Sequence, residues 1–161
     1  MYKKILVPLD GSEVAQVALP HAVHMAETFH ADVILLRVAF APAYPGSDPV
    51  EAQRAVVVES QAYLEKVART LQPLGPKVST VVRYGKAAEE IIGHAAQQHV
   101  SIIVMATHGR SGVGRWLLGS TAEKVLRSTQ VPVLLIRAAQ GAETPEADAL
   151  YAGSRGLHQS P

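Results

Sequence analysis

The sequence predicts an α/β fold: a single domain in which helices cover both faces of a doubly wound, five-stranded parallel sheet. Short runs that are apolar throughout alternate along the chain with longer segments of helical periodicity. Strands that are apolar on both faces belong to parallel sheets buried from both sides. Because parallel strands are joined by right-handed crossovers, this alternation favours helices on both faces. A length of 161 residues and a hydrophobic content of 48% suit one domain with a sizeable core.

The strand predictions rest on apolar runs bounded by turn residues. The first run ends at Pro8, just before the turn Leu9-Asp10-Gly11-Ser12. The third alternates polar and apolar residues, and the others are apolar almost throughout. Strands are therefore predicted at residues 5–7, 33–38, 78–83, 102–106 and 131–137.

The helix predictions rest on apolar residues that recur at helical spacing, at residues 12–29, 51–71, 86–98 and 121–127. Ser12 can cap the first helix. Since Pro20 lies inside that helix, we expect a kink or an irregular first half rather than a clean break. The predicted buried faces are Val14, Val17, Ala18, Ala22, Met25 and Ala26 on the first helix, Val58, Ala62, Leu64, Val67, Ala68 and Leu71 on the second, and Ile91, Ile92 and Ala95 on the third.

Two stretches of the chain carry no periodic pattern. Residues 39–49 form a loop rich in Pro, Gly and Ala, and residues 139–161 are rich in Gly, Ala, Ser and Pro. The sequence therefore predicts a folded domain over 1–138 and a flexible tail over 139–161.

Composition excludes several classes of function. With 15 Lys and Arg against 14 Asp and Glu, nothing indicates nucleic acid or an anionic membrane as a partner. The absence of cysteine excludes disulfides, thiol catalysis and thiolate metal sites. The apolar run before Pro8 is too short for a secretion signal, and no run reaches the length of a membrane span. We therefore expect a cytoplasmic protein.

The most informative segment is a glycine-rich, basic loop, residues 106–121, between the fourth strand and the last helix. Such a loop presents backbone N–H groups and the positive end of a helix dipole to an anion, most often a phosphate. In a doubly wound sheet the ligand lies beyond the carboxyl ends of the strands, where the winding direction reverses. The loop after the first strand, residues 8–12, would face the glycine loop if these two strands are neighbours.

Other motifs that bind phosphate or support catalysis do not fit. Gly109 to Gly114 is followed by Arg115-Trp116, whereas a P-loop needs Lys and then Ser or Thr. The loop also lacks the third glycine of a dinucleotide fingerprint and follows the wrong strand. There is no hydrolase elbow. His21 and His24 share a helix face without a further ligand, and His94 and His99 are predicted at the surface.

The loop also has a longer spacing, in which nine residues separate Gly109 from Gly119-Ser120. In this spacing the chain resembles the ATP-binding branch of the universal stress protein family, whose motif is Gly-x2-Gly-x9-Gly-Ser/Thr. Ala106 occupies the first glycine position. The resemblance spans about residues 2–137 and includes the first strand with its acidic turn, the second strand, and the last strand from Val131 to Ile136.

The resemblance implies a Rossmann-like, adenine nucleotide alpha hydrolase-like fold with strand order 3-2-1-4-5. It further implies an adenine nucleotide, ATP with Mg²⁺, as the ligand, and a homodimer formed through the last strand, residues 131–136. The implied function is that of a nucleotide-dependent regulator or sensor in a stress response. No general base or arginine finger is visible, so the sequence does not indicate an enzyme and leaves slow ATP hydrolysis open.

The resemblance also implies the site residues by position. Asp10, with Pro8 and Leu9 before it, would accept hydrogen bonds from the ribose or adenine, and the backbone near Val38 would hold the adenine edge. The phosphates would lie against Ala106, His108, Gly109, Arg110, Gly112, Gly119, Ser120 and Thr121, with His108 and Arg110 as outer contacts.

Simpler interpretations of the same residues stay open. Asp10 can end the first strand or assist Ser12 in capping, and Ser120-Thr121-Ala122-Glu123 fits a capping box. Two alternative functions also remain: a family member that does not bind ATP and acts through its dimer surface, and an enzyme of the adenine nucleotide hydrolase type.

Overall fold

The computed structural model describes residues 1–42, 46, 48–107 and 119–138. Five strands and five α-helices lie within these ranges. In chain order they are β1 (Lys4–Pro8), α1 (Glu13–Gln16), α2 (Leu19–Phe29), β2 (Asp32–Ala39), α3 (Pro49–Leu71), β3 (Val78–Tyr84), α4 (Ala87–Gln97), β4 (Ile102–Thr107), α5 (Ser120–Ser128) and β5 (Val133–Arg137), with a 3-10 turn at Gln72–Leu74 after α3.

All five strands are parallel and lie in the order β3-β2-β1-β4-β5, which confirms the predicted sheet. The winding direction reverses between β1 and β4, the two strands in the middle. β1 pairs with β2 from Lys4 to Pro8, whereas its pairing with β4 covers only Ile5 and Leu6. A crevice therefore opens at the carboxyl ends of β1 and β4, where doubly wound sheets bind their ligands.

Two apolar layers fill the space between the sheet and its helices. One packs α2 and α3 against the face that carries Ile5, Leu35 and Val104. The other packs α4 and α5 against the opposite face, which carries Leu6 and Ile103. The strand residues alternate between the layers because successive side chains of a strand point to opposite faces.

The segment predicted as one helix over 12–29 is two helices. α1 ends at Gln16, and α2 begins at Leu19 after a two-residue turn. Pro20 is the second residue of α2, where it removes no helical hydrogen bond because the first N–H groups of a helix have no intrahelical acceptor. The expectation of one helix, with a kink or an irregular first half rather than a clean break, was therefore wrong, because the chain breaks between Gln16 and Leu19.

The second predicted helix, α3, is confirmed, but its buried face is shorter than predicted. Leu64 and Leu71 are buried, whereas Val58 is 63% exposed and Ala62 is also exposed. At 1.5 Å per residue, its 23 residues span about 34 Å, more than the strands beneath them. The first half of α3 therefore has little sheet to cover, and its burial begins at Ser60.

Two further predictions concern the ends of the chain. The last strand begins at Val133, two residues later than predicted, because Pro132 precedes the ladder with β4. The predicted tail, residues 139–161, lies outside the described residues. Within the described ranges, no helix has the length and apolar character that crossing a membrane requires.

Candidate functional site

A pocket of about 250 Å³ opens in the crevice between the carboxyl ends of β1 and β4. Its described lining includes eight of the twelve site residues that the sequence predicted: Pro8, Leu9, Asp10, Val38, Ala106, Gly119, Ser120 and Thr121. The other four, His108, Gly109, Arg110 and Gly112, lie outside the described residues. The fold thus brings the turn after β1 and the described ends of the glycine loop, residues 106 and 119–121, to one cavity.

The turn after β1 is closed by its own side chains. Asp10 Oδ1 accepts hydrogen bonds from the Ser12 backbone N–H at 2.9 Å and from the Ser12 hydroxyl at 2.6 Å. Ser12 Oγ in turn accepts from the Ala15 N–H at 3.2 Å and caps α1. Among the described residues these bonds reach only Oδ1 of Asp10, so its second carboxylate oxygen is left for a ligand.

The start of α5 is arranged differently. Its N-cap is Gly119, and no side chain within the described ranges caps the helix. The predicted capping box is wrong because Ser120 is already the first helical residue. The Glu123 carboxylate does not reach back to the helix start, since it pairs with Arg127 at 3.0 Å. The first N–H groups of α5 therefore lack a capping side chain in the described part of the chain.

The pocket wall beside these polar ends is apolar. Leu36 and Val38 of β2 share a face with Met105 of β4, and Ile91 of α4 joins them. Val14 and Ala15 of α1 form the opposite side. A cavity with one apolar wall, one carboxylate and uncapped N–H groups suits a flat apolar body that ends in an anion.

An ion pair joins α4 and α5, two of the helices that border the pocket. Lys124 Nζ of α5 lies 2.5 Å from Glu89 Oε1 of α4. This hydrogen bond lowers the pKa of the Glu89 carboxyl. Both side chains are about half exposed, so the pair aligns α5 on α4 more than it stabilises the fold.

The sequence predicted His94 at the surface, but the residue is buried and only 5% exposed. It follows Ile91 by three residues and therefore shares the buried face of α4. Neither ring nitrogen has a hydrogen-bond partner among the described residues. Burial and the positive charge of Arg83 lower the pKa of the imidazole against an opposing contribution from Glu90.

The other three histidines named from the sequence, His21, His24 and His99, are exposed. In the described part of the chain, no three or more His, Cys, Asp or Glu side chains come together as a metal site.

Seven residues of the pocket wall were not predicted from the sequence. Two of them lie close in sequence to predicted site residues: Leu36 is two residues before Val38 on the same face of β2, and Ala122 follows Thr121. The seven are Val14, Ala15, Leu36, Ala87, Ile91, Met105 and Ala122.

Comparisons with known proteins agree on one family. The model of the universal stress protein family matches residues 1–137. Universal stress protein MJ0531 of Methanocaldococcus jannaschii is 35% identical over 142 residues, which cover 85% of this chain and 83% of that protein. The solved structure of MJ0577 from the same organism has a TM-score of 0.73 at 33% identity, covering 86% of this chain and 98% of that one.

Two more distant solved structures contain nucleotides. One is a universal stress protein in complex with cAMP, 20% identical with a TM-score of 0.69, covering 86% of this chain and 99% of that one. The other, from Archaeoglobus fulgidus, is in complex with dAMP, 18% identical with a TM-score of 0.61, covering 84% of this chain and 98% of that one. At these identities the likeness is one of fold alone.

Proposed function

This chain belongs to the universal stress protein family, and we propose that it binds ATP with Mg²⁺ and acts as a nucleotide-dependent regulator or sensor in a stress response. The observation that carries the proposal is the pocket between β1 and β4, which joins an apolar wall to the uncapped start of α5. Relatives of the same fold in complex with cAMP and dAMP support an adenine nucleotide as the ligand class.

Each part of the pocket suits one part of the nucleotide. Leu36 and Val38 offer an apolar surface and a strand edge for the adenine. Asp10 retains one carboxylate oxygen for ribose hydroxyls, because the other is bonded to Ser12.

The start of α5 suits the phosphates. The backbone N–H groups of Gly119, Ser120 and Thr121 supply donors and the positive end of a helix dipole. The predicted contacts from His108, Gly109, Arg110 and Gly112 belong to the same proposal.

The magnesium ion would be held chiefly through the phosphates. No metal cluster of His, Asp or Glu exists in the described ranges, and Mg²⁺ commonly keeps its waters while bridging phosphate oxygens. When bound there, it would neutralise phosphate charge. Asp10 and the start of α5 would then orient the nucleotide without a protein ligand set for the metal.

We propose regulation through a shift in population. Nucleotide binding would fix the glycine loop and the 39–50 loop and favour one surface or assembly of the protein. The described part of the pocket contains Asp10 as its one carboxylate and no histidine, so we assign no catalytic residue. A cytoplasmic location stays a prediction.

A homodimer through the last strand is part of the proposal. β5 is an edge of the sheet in the described structure. Ile103 donates to the Pro132 carbonyl, and Ala138 donates to the Thr107 carbonyl. The alternation between these bonds directs the N–H of Val133 away from β4, toward a second copy.

Sedimentation velocity tests the dimer. The wild-type chain should sediment as a dimer, and Val133→Pro, which removes an outward N–H but keeps the ladder to β4, should weaken the association. A monomeric wild-type protein at tens of micromolar would contradict this part of the proposal.

Calorimetric titration tests the nucleotide. Mg-ATP should bind with saturation, AMP should bind more weakly, and GTP should not bind, since the proposed adenine contacts do not suit guanine. Absence of heat and of thermal stabilisation at millimolar Mg-ATP would instead favour a family member that acts through its dimer surface.

A further inference from the structure

A charged side chain lies under the Asp10 turn, outside the pocket lining. Arg37 is the sixth residue of β2, next to Val38, and its side chain is only 18% exposed. Val38 faces the pocket, so Arg37 points to the opposite face of the sheet, toward α3. A mostly buried guanidinium at a strand end requires specific partners, since burying an unpaired charge is costly.

Arg37 has three neighbours that hold its guanidinium in one orientation. Its Nη2 lies 3.3 Å from Glu59 Oε1, and its Cζ lies 4.9 Å from the centre of the Tyr63 ring. On the other side is Gly11: a Cβ added there would lie 3.2 Å from both Cζ and Nη2 of Arg37. The guanidinium thus packs against both the Tyr63 ring and the backbone of the turn.

Two features of the structure favour glycine at position 11. Its φ of +91° is a conformation that other residues rarely adopt. A side chain would also press on the guanidinium of Arg37. The turn and the arginine therefore fit each other, and a side chain at position 11 would displace the guanidinium.

Tyr63 extends this support to α1. Its hydroxyl accepts a hydrogen bond from Gln16 Nε2 at 3.3 Å. Burial raises the pKa of Tyr63, Gln16 lowers it, and the charges of Asp10 and Arg37 act on it in opposite directions. Tyr63 thus contacts both Arg37 of β2 and Gln16 of α1.

We propose that Arg37 is a positioning residue for the nucleotide site: by backing Gly11 it holds the Asp10 carboxylate toward the ribose. The inference rests on the proposed function but concerns a residue that does not line the pocket. Arg37 acts through Asp10, and its effect on affinity requires both the Asp10 carboxylate and ribose hydroxyls.

The test is a calorimetric titration of Arg37→Met and Arg37→Lys with Mg-ATP and with 2′,3′-dideoxy-ATP. Arg37→Met should weaken ATP binding by about tenfold, within the range of coupling between residues in contact. It should change dideoxy-ATP binding by less than about twofold, since that ligand lacks the hydroxyls. Arg69→Met on α3, which removes an exposed arginine, is the matched control and should leave both affinities unchanged.

The double variant Asp10→Ala/Arg37→Met separates positioning from a general structural effect. Once Asp10 is absent, removal of Arg37 should cost no further affinity. Additive losses, or equal losses for the two nucleotides, would overturn the inference. Full affinity in Arg37→Lys would also overturn it, because the charge alone would then suffice.

Two controls keep the outcomes distinct. If Arg37→Met does not fold, as a thermal melt without ligand would reveal, Arg37→Lys in the same cycle with Asp10→Ala still decides the question. If the wild-type protein binds no ATP, the proposed function fails together with the inference. Wild-type binding with an unaffected Arg37→Met overturns the inference alone.

Discussion

Two of the helices that start at the pocket, α1 and α5, differ in how their first N–H groups are satisfied. At α1, Ser12 caps the helix and is itself bonded to Asp10. At α5, the N-cap is Gly119, and no described side chain caps the helix. One start is therefore completed within the chain, whereas the other has donors for an external anion. A carboxylate is held beside the first start, and we propose that phosphate binds at the second.

The largest expected effect comes from blocking the open start. Gly119→Val should weaken Mg-ATP binding by about a hundredfold or more, because a branched side chain keeps the phosphate from the backbone donors. Its backbone angles, φ −59° and ψ 146°, are open to any residue, so the fold should persist. Calorimetric titration measures the affinity.

Gly93→Ala is the matched control for that change. Gly93 lies within α4, and a Cβ added there would meet nothing within 4 Å. It should leave ATP affinity unchanged and raise stability by about 0.5–1 kcal/mol, as alanine favours a helix interior. Unchanged ATP affinity in Gly119→Val would remove the phosphate assignment at α5.

A smaller effect is expected at the closed start. Asp10→Ala removes the acceptor of two hydrogen bonds from Ser12 and should lower the free energy of unfolding by about 1 kcal/mol. It should also weaken ATP and AMP binding alike, by about tenfold, since a charge-assisted hydrogen bond to the ribose is lost. Denaturant unfolding and titration give the two values.

Comparing ATP with AMP shows which part of the nucleotide Asp10 contacts. Losses confined to ATP would move Asp10 from the ribose to the phosphates. The start of α1 would then no longer differ in role from the start of α5.

The smallest expected effect is a dependence of stability on pH through His94 of α4. The pKa of His94 lies below its ordinary value of 6.5 in the folded state. As the pH falls, His94 is therefore protonated in the unfolded chain at a higher pH than in the folded chain, and this protonation favours unfolding. The stability that depends on neutral His94 is thus present above pH 6.5 and is lost as the pH falls.

Urea unfolding of wild-type protein and His94→Leu between pH 7.5 and 5 measures this dependence. The variant should lose less stability on acidification than the wild type does. His24→Leu, at an exposed position of α2, should follow the wild type. Parallel curves for all three proteins would assign the acid sensitivity to other groups.

The sequence predicted the sheet well because its strands carry their own signal. Runs such as Ile5-Leu6-Val7 are apolar on both faces, which only a covered parallel sheet accommodates. The facing of the two loops was predicted on the condition that β1 and β4 are neighbours, and that condition is met. Local composition and the crossover rule predicted a covered parallel sheet, whereas its strand order was implied by the family resemblance.

The errors have physical causes that sequence periodicity does not contain. Val58 has helical spacing but lies on a part of α3 that reaches beyond the sheet. His94 is polar, yet its position relative to Ile91 buries it. The capping pattern predicted Ser120 as the N-cap of α5, whereas the N-cap in the structure is Gly119, one residue earlier. Arg37 drew no attention because its partners, Gly11 and Tyr63, are distant in sequence.

The most direct test of the difference between the two helix starts is a ¹⁵N-resolved NMR titration of the wild-type chain with Mg-ATP and, separately, adenosine. We expect large shifts of the Ser120 and Thr121 amides with Mg-ATP and much smaller ones with adenosine. At Ala15, which lines the pocket but whose N–H is bonded to Ser12, we expect similar shifts with both ligands. Equal shifts of the Ser120 and Thr121 amides with the two ligands, or no shift at α5, would contradict the proposal.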